Sequence, residues 1–259
     1  MTTTAPLDAA RRPGAASDWP WTEALSVVSR VSGVMGLALD TAFRASLLPE
    51  LPASRDRERA RLLHAIAGEL CAMHALRVRV TGALPAPPFV IVANHVSYLD
   101  PIALASLTPC TAIAKQEIGG WPIVGERARD LGVLLVDRQR PASGARVLRS
   151  ALRALCHGVP VLNFPEGSTT RGEQVLPFRK GIFGLARIAG VPIVPAAITY
   201  DAPELCWAGD DTFVPHYLRF SSRRESSARI TFGPPLGNHG GAADLAERAR
   251  AVILDLLSL

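Results

Sequence analysis

The chain has 259 residues, 48% hydrophobic and 20% charged, an ordinary globular composition with room for one large domain and a substantial core. Lys plus Arg exceed Asp plus Glu by only 28 to 23; so small an excess suits an anionic membrane surface or a phosphorylated ligand, fits a mildly basic soluble protein equally well, and gives no reason to expect a nucleic acid. The four cysteines, Cys71, Cys110, Cys156 and Cys206, form no C-x-x-C pair, which argues against a zinc ribbon or a thioredoxin-like site and for reduced core thiols in a cytosolic setting.

Residues 1–18, rich in Thr, Ala and Arg, read as a disordered leader without a signal-peptide pattern. Residues 19–76 read as an N-terminal pair of amphipathic helices. The first, Trp21–Leu48, falls short of the roughly 20 uninterrupted apolar residues that a membrane span needs, because Arg30, Asp40 and Arg44 break it. At about 100° per residue, Glu23, Arg30, Asp40 and Arg44 share one face, and Leu25, Val28, Met35, Leu39 and Phe43 lie opposite. Trp19 and Trp21 precede the helix, and Trp is favoured where apolar and polar phases meet. The pattern fits an anchor lying on a bilayer, or a helix packed on its own domain. The Pro49–Pro52 stretch makes a turn, and a second helix follows over Arg55–Leu76.

Residues 77–259 change texture. Short β-branched runs at Arg77–Val80, Phe89–Ala93, Thr111–Ala114, Val133–Val136, Val159–Phe164, Ile193–Thr199 and Arg229–Phe232 alternate with helical stretches. Those stretches are Pro101–Leu107, Ile123–Asp130, Ala142–Cys156, Gly181–Ala189 and Ala242–Leu257. The alternation implies an α/β domain with a central sheet of about seven strands, largely parallel or mixed, flanked by helices. Residues 201–227 read as a long irregular insert.

Three strands deliver chemistry at their ends. Asn94-His95-Val96-Ser97-Tyr98-Leu99-Asp100 follows the run ending at Ala93, and Asp100-Pro101 reads as a helix start with Asp as N-cap. The turn between them can bring His95 and Asp100 together, so that the carboxylate fixes one imidazole nitrogen and frees the other to take a proton. Phe164-Pro165-Glu166-Gly167-Ser168 again places a carboxylate at a strand end, and Gly132–Arg138 delivers an arginine suited to an anion. Ser97 as an esterase nucleophile lacks a G-x-S-x-G elbow, and a metal site on His95 and Asp100 lacks further ligands at useful spacing.

Four blocks in this order resemble those of the glycerolipid acyltransferases that include 1-acylglycerol-3-phosphate acyltransferase: Asn-His-x4-Asp at Asn94, His95 and Asp100; an Asp-Arg pair at Asp137 and Arg138; Phe-Pro-Glu-Gly at Phe164–Gly167 with Ser168 in place of Thr; and Val-Pro-Ile-Val-Pro at Val191–Pro195. Lys115, with Gln116, Glu117, Pro122 and Gly125, and the stretch Pro177–Gly181 are also similar, so the resemblance covers about residues 75–235. It implies an acyl transfer from acyl-CoA or acyl-carrier protein, without cofactor or metal, to the free hydroxyl of a lysophospholipid. The first choice of acceptor is 1-acyl-sn-glycerol-3-phosphate, giving phosphatidate. His95 would be the general base, Asp100 its orienting partner, and Asn94, Lys115, Arg138, Glu166, Gly167, Ser168, Arg171 and Arg179 would bind substrate. The implied location is the cytoplasmic face of the inner membrane, held peripherally or monotopically, and the family's frequent N-terminal helical segment favours the anchor reading.

The chain departs from the pattern where Arg follows the third block two residues late, as Ser168-Thr169-Thr170-Arg171, a shift that Arg171 or Arg179 would have to compensate. The Tyr200–His216 stretch instead resembles bacterial acyltransferases of lyso-ornithine lipid synthesis, whose acceptor is the alternative. There, Asp210 and Asp211 could meet a cationic headgroup, or simply cap a surface loop. A lipid-binding module without catalysis is the reading from another class; the intact His95, Asp100, Glu166 and Arg138 argue against it.

Overall fold

The computed structural model describes residues 19–121, 123–237 and 239–258; the expected leader at 1–18 and Pro122 lie outside the described residues. Two helices, α1 (Trp19–Ser46) and α2 (Pro52–Met73), precede strand β1 (Leu76–Thr81). There follow β2 (Val90–Ala93), α3 (Asp100–Ala105), β3 (Thr111–Lys115), a 3-10 turn at Gln116–Gly120, α4 (Val124–Asp130), β4 (Leu134–Val136), α5 (Pro141–Cys156) and β5 (Val161–Asn163). The chain continues with α6 (Gly181–Ala189), β6 (Ile193–Tyr200), a 3-10 turn at Pro203–Leu205, α7 (Phe213–Ser222), β7 (Ser226–Phe232) and α8 (Ala242–Leu257).

The strands form one mixed sheet in the order β1-β7-β6-β2-β5-β3-β4. Every pairing is parallel except β6 with β7. Central strands of this kind are covered on both faces, which is why their sequences read as unbroken apolar runs. In β2, Ile91 and Ala93 join the cluster under α2, α3 and α7, while Val90 and Val92 join the cluster under α5, α6 and α8. β6 divides its residues the same way, with Val194, Ala196 and Ile198 on the first face and Ile193 and Ala197 on the second. The result is three layers, with the C-terminal ends of β2, β5, β3 and β4 opening on one rim.

All seven expected strands and all five expected helices of the α/β part are present. The insert at 201–227 is not irregular throughout: Phe213–Ser222 is helix α7. The first helix begins at Trp19, so Trp19 and Trp21 belong to its first turn rather than preceding it; the side chain of Trp19 lies outside the described residues.

The two faces of α1 separate as expected, but the polar face turns inward. Arg30 is buried and donates to the carbonyls of Ser221 and Arg223 at 2.8 and 2.7 Å, closing the end of α7. Arg44 pairs with Asp40 at 2.7 Å and Glu69 at 3.4 Å, and Arg127 of α4 donates to the Ala38 carbonyl. The apolar stripe faces out: Trp21 is 77% exposed, Leu39 72% and Leu25 69%, with Val28 and Phe43 similar. By length and composition alone Glu23–Ser46 does reach what a membrane crossing needs, against the expectation drawn from its interrupting charges. The expectation of four core thiols fails at Cys156, which is exposed; Cys71 and Cys110 are buried.

Candidate active site

β2 ends at Ala93, and Asn94 extends its pairing by one side-chain rung. The Asn94 amide nitrogen donates to the Ile198 carbonyl at 3.0 Å and its oxygen accepts from the Ile198 N–H at 2.8 Å. Both ends of the Asn94 amide are thus used on β6, which registers the loop that follows.

That loop closes on Asp100. Its carboxylate, fully buried, collects four hydrogen bonds. Oδ2 accepts from His95 Nδ1 at 2.7 Å, Val96 N–H at 2.7 Å and Ser97 N–H at 2.9 Å. Oδ1 accepts from the Tyr200 hydroxyl at 2.8 Å. Asp100 is the first residue of α3 and not its N-cap; Leu99 holds that position and makes no side-chain cap bond. The carboxylate points back into the turn because three donors there solvate its charge, whereas a cap would offer fewer. An ionised carboxylate only accepts, so it assigns the proton to Nδ1 of His95 and leaves Nε2 with a free lone pair. No described residue bonds Nε2, and the His95 side chain is 20% exposed.

The imidazole is held from behind as well. It stacks on Phe164, with ring centres 4.1 Å apart and planes 20° from parallel. The His95 N–H donates to Glu166 Oε1 at 2.7 Å, and its carbonyl accepts from Thr170 N–H at 2.9 Å. Glu166 Oε2 accepts from Leu176 N–H at 2.8 Å. Glu166, expected to meet a headgroup, is buried, and each of its oxygens accepts from a backbone amide. Burial pushes its pKa up, partly offset by those two amide bonds. Gly167 follows with a φ of +81°, and a Cβ there would meet Arg179 Nε at 2.9 Å; glycine lets the guanidinium lie over the loop.

Three cations gather on the same rim. Lys115 ends β3, Arg138 follows β4, and Arg179 precedes α6. Burial lowers the Lys115 pKa, and Arg138 and Arg179 push it the same way, with Glu117 opposing. Arg138 is lowered by burial and then by Arg179. Arg138 and Arg179 line one cleft of about 180 Å³ with Phe164, and much of its wall is apolar, with Ile113, Val136, Val147 and Leu148 among the lining side chains beside Asn163. Phe164 thus touches both the cleft and the His95 ring. Arg171 does not join this group: exposed, it pairs with Asp211 Oδ2 at 3.1 Å. Asp211 also accepts from Ala208 N–H at 3.1 Å, so it closes its own loop and its carboxyl is held below the usual range, first by that amide. Ser168 is exposed.

Ser97 is fully buried, and its hydroxyl oxygen lies 3.4 Å from the Leu99 N–H, which removes it as a nucleophile. Among the described residues no group of three or more His, Cys, Asp or Glu could hold a metal. Two contributors escaped the sequence reading. Tyr200 enters the sequence reading only as the head of the Tyr200–His216 stretch, and Trp207, whose backbone N–H donates to the Val96 carbonyl at 2.8 Å, ties that stretch to the His95–Asp100 turn. No signal in the sequence links Tyr200 to Asp100; the placement of β6 beside β2 does.

Fold and rim together set a carboxylate-held histidine beside a half-apolar cleft lined by two arginines. The chain belongs to the acyltransferase family, among its lysolipid-acylating members. The family pattern described as Acyltransferase matches residues 77–199. Over 234 residues the chain is 34% identical to the lyso-ornithine lipid O-acyltransferase of Pseudomonas aeruginosa, covering 87% of this chain and 90% of that one. It is 33% identical over 133 residues to the 1-acyl-sn-glycerol-3-phosphate acyltransferase of Neisseria gonorrhoeae, covering 50% of this chain and 52% of that one. The crystal structure of the 1-acyl-sn-glycerophosphate acyltransferase of Thermotoga maritima shares the fold, with a TM-score of 0.62 at 20% identity over 92% of this chain and 97% of that one.

Proposed function

We propose that the protein transfers a fatty acyl group from the thioester of acyl-CoA or acyl-carrier protein to the free hydroxyl of a membrane-embedded lysolipid. The observation that carries this is the 2.7 Å bond between His95 Nδ1 and the buried Asp100 carboxylate, which leaves Nε2 as the base. Nε2 takes the hydroxyl proton as the oxygen attacks the thioester carbonyl. The C–S bond then breaks, and the imidazolium returns its proton to the departing thiolate, so no acyl-enzyme forms. Asp100 stabilises the transient imidazolium. Lys115, Arg138 and Arg179 hold the anionic group of the acceptor, and the apolar wall of the cleft takes a chain. Asn94 and Glu166 shape the loops, and Gly167 lines the cleft beside Arg179.

Of the two acceptors, lyso-ornithine lipid ranks first here. The relative aligned along nearly its whole length acts on that lipid by name, and Arg171, the late arginine after the third block, is engaged by Asp211. Lysophosphatidate is the second reading, favoured by three clustered cations that suit a phosphate as well as a carboxylate. Incubating purified protein with thioester donor and each acceptor, read by mass spectrometry and by free-thiol release, decides between them. Exclusive diacylation of lysophosphatidate would reverse the ranking, and no thiol release with any lysolipid would leave only a binding module.

The outward apolar stripe of α1 supports a monotopic seat on a membrane; the cytoplasmic face of the inner membrane is the side on which the proposed thioester donors are met. A helix that buries Arg30, pairs Arg44 with Asp40 and Glu69, and shows Trp21, Leu25, Val28, Leu39 and Phe43 is suited to a bilayer rather than to water.

A further inference from the structure

Tyr200 is the last residue of β6, two positions beyond Ile198, which the Asn94 amide grips from both sides. This registers the end of β6 against the catalytic turn and carries the Tyr200 hydroxyl to Asp100 Oδ1 at 2.8 Å. Of the four donors that solvate the buried Asp100, two are amides of its own turn and one is His95 itself. Tyr200 is the donor brought from another element, and it alone occupies Oδ1. Burial and the adjacent Asp100 charge hold the Tyr200 phenol well above its ordinary range, so it stays protonated and serves Asp100 only as a donor.

We propose that Tyr200 is a positioning residue for the acyl transfer, fixing the Asp100 carboxylate and, through it, setting how strongly His95 holds a proton. This rests on the reading of His95 as general base. A hydrogen bond donated to Oδ1 spreads the carboxylate charge and weakens its pull on the imidazole proton. Removing the donor concentrates that charge on His95, favours imidazolium, and moves the acid limb of the kcat/KM–pH profile to higher pH. A stronger donor moves it to lower pH. The other titratable groups facing the pair are Glu166 from the loop after β5 and Cys206 from the segment after β6, with Cys71 of α2 behind Tyr200; none of them changes in the test.

The test compares the full chain with Tyr200→Phe and with 3-fluorotyrosine incorporated at position 200, a more acidic phenol of nearly the same shape. The acid limb is expected to rise by about half a pH unit in the first and to fall in the second, about a threefold change in the ionisation constant each way. KM for both substrates should stay unchanged, and the plateau kcat of Tyr200→Phe should fall by no more than about tenfold. An acid limb unmoved in both variants, or moved the same way in both, overturns the proposal, even if Tyr200→Phe is less stable. Should Tyr200→Phe fail to fold, the fluorinated chain alone still decides by the sign of its shift. Full activity in His95→Ala would overturn the base reading and this proposal with it; an inactive His95→Ala beside an unmoved acid limb overturns this proposal alone.

Discussion

At the scale of single residues, the site divides into groups that act and groups that hold the actors. His95→Ala removes the base and should lower turnover about 10²–10⁴-fold, read by thiol release, an effect far larger than the fall in thermal midpoint expected from depriving buried Asp100 of one of its four donors and Phe164 of its stacked ring. Glu166→Ala should behave differently. It deletes the acceptor for two buried amides, at about 1–3 kcal/mol for each amide left unsatisfied, so activity and melting temperature should fall together. Arg138→Gln should spare the melting temperature and raise KM for the acceptor about ten- to hundredfold, the usual worth of a bond to a charged group, with KM for the donor unmoved. These contrasts explain why the residues around the base were legible in the sequence while their duties were not. The spacing Asn94-His95-x4-Asp100 marks a site, and so does Glu166 at a strand end. Which way each side chain turns depends on β6 lying beside β2, in register Ala93 with Ala196, and no local pattern carries that.

At the scale of elements, α1 and α7 form a coupled pair. α1 was readable because its charges and its apolar residues fall on opposite faces. Its orientation was not, since an amphipathic pattern says which residues share a face and not which face meets the protein. α7 was unreadable for a clear reason. Its sequence FVPHYLRFSS mixes aromatic and β-branched residues with a proline in the first turn, where proline is tolerated but gives no periodic signal. Its last carbonyls are satisfied by Arg30 from a distant helix rather than by a local cap. Replacing Arg30 with Met should therefore destabilise the fold by about 2–4 kcal/mol through two lost charge-assisted bonds, measured by denaturant unfolding. Leu25→Glu with Leu39→Glu should leave that stability intact, abolish flotation with anionic vesicles, and spare activity on a short-chain acceptor below its micellar concentration. Loss of the soluble activity as well would contradict a purely interfacial role for α1.

At the scale of the molecule, the layer beneath α7 carries a pH dependence. His74 accepts from the Tyr217 hydroxyl at 3.1 Å and donates to the Leu70 carbonyl, and His216 lies between the Tyr98 hydroxyl and the Cys206 carbonyl. Both are buried, and burial lowers both pKa values; Arg30 adds to this at His74, and Arg219 adds to it at His216 against Asp211. A histidine whose folded pKa is depressed contributes stability that is full above its unfolded value, near 6.5, and is lost as pH falls through the folded value. The melting temperature should drop on acidification below about pH 6.5, and His216→Asn should flatten that slope.

The grip of Arg30 on α7 also bears on biosynthesis. The carbonyl that receives its guanidinium lies 191 residues further along the chain, so at about 5–20 residues per second the ribosome needs about ten seconds or more to supply the partner. Throughout that interval the helix with its greasy stripe is made and the partner of its arginine is not. A nearby lipid leaflet can shelter the nascent helix during the wait, and translation without vesicles should yield more aggregate than translation with them.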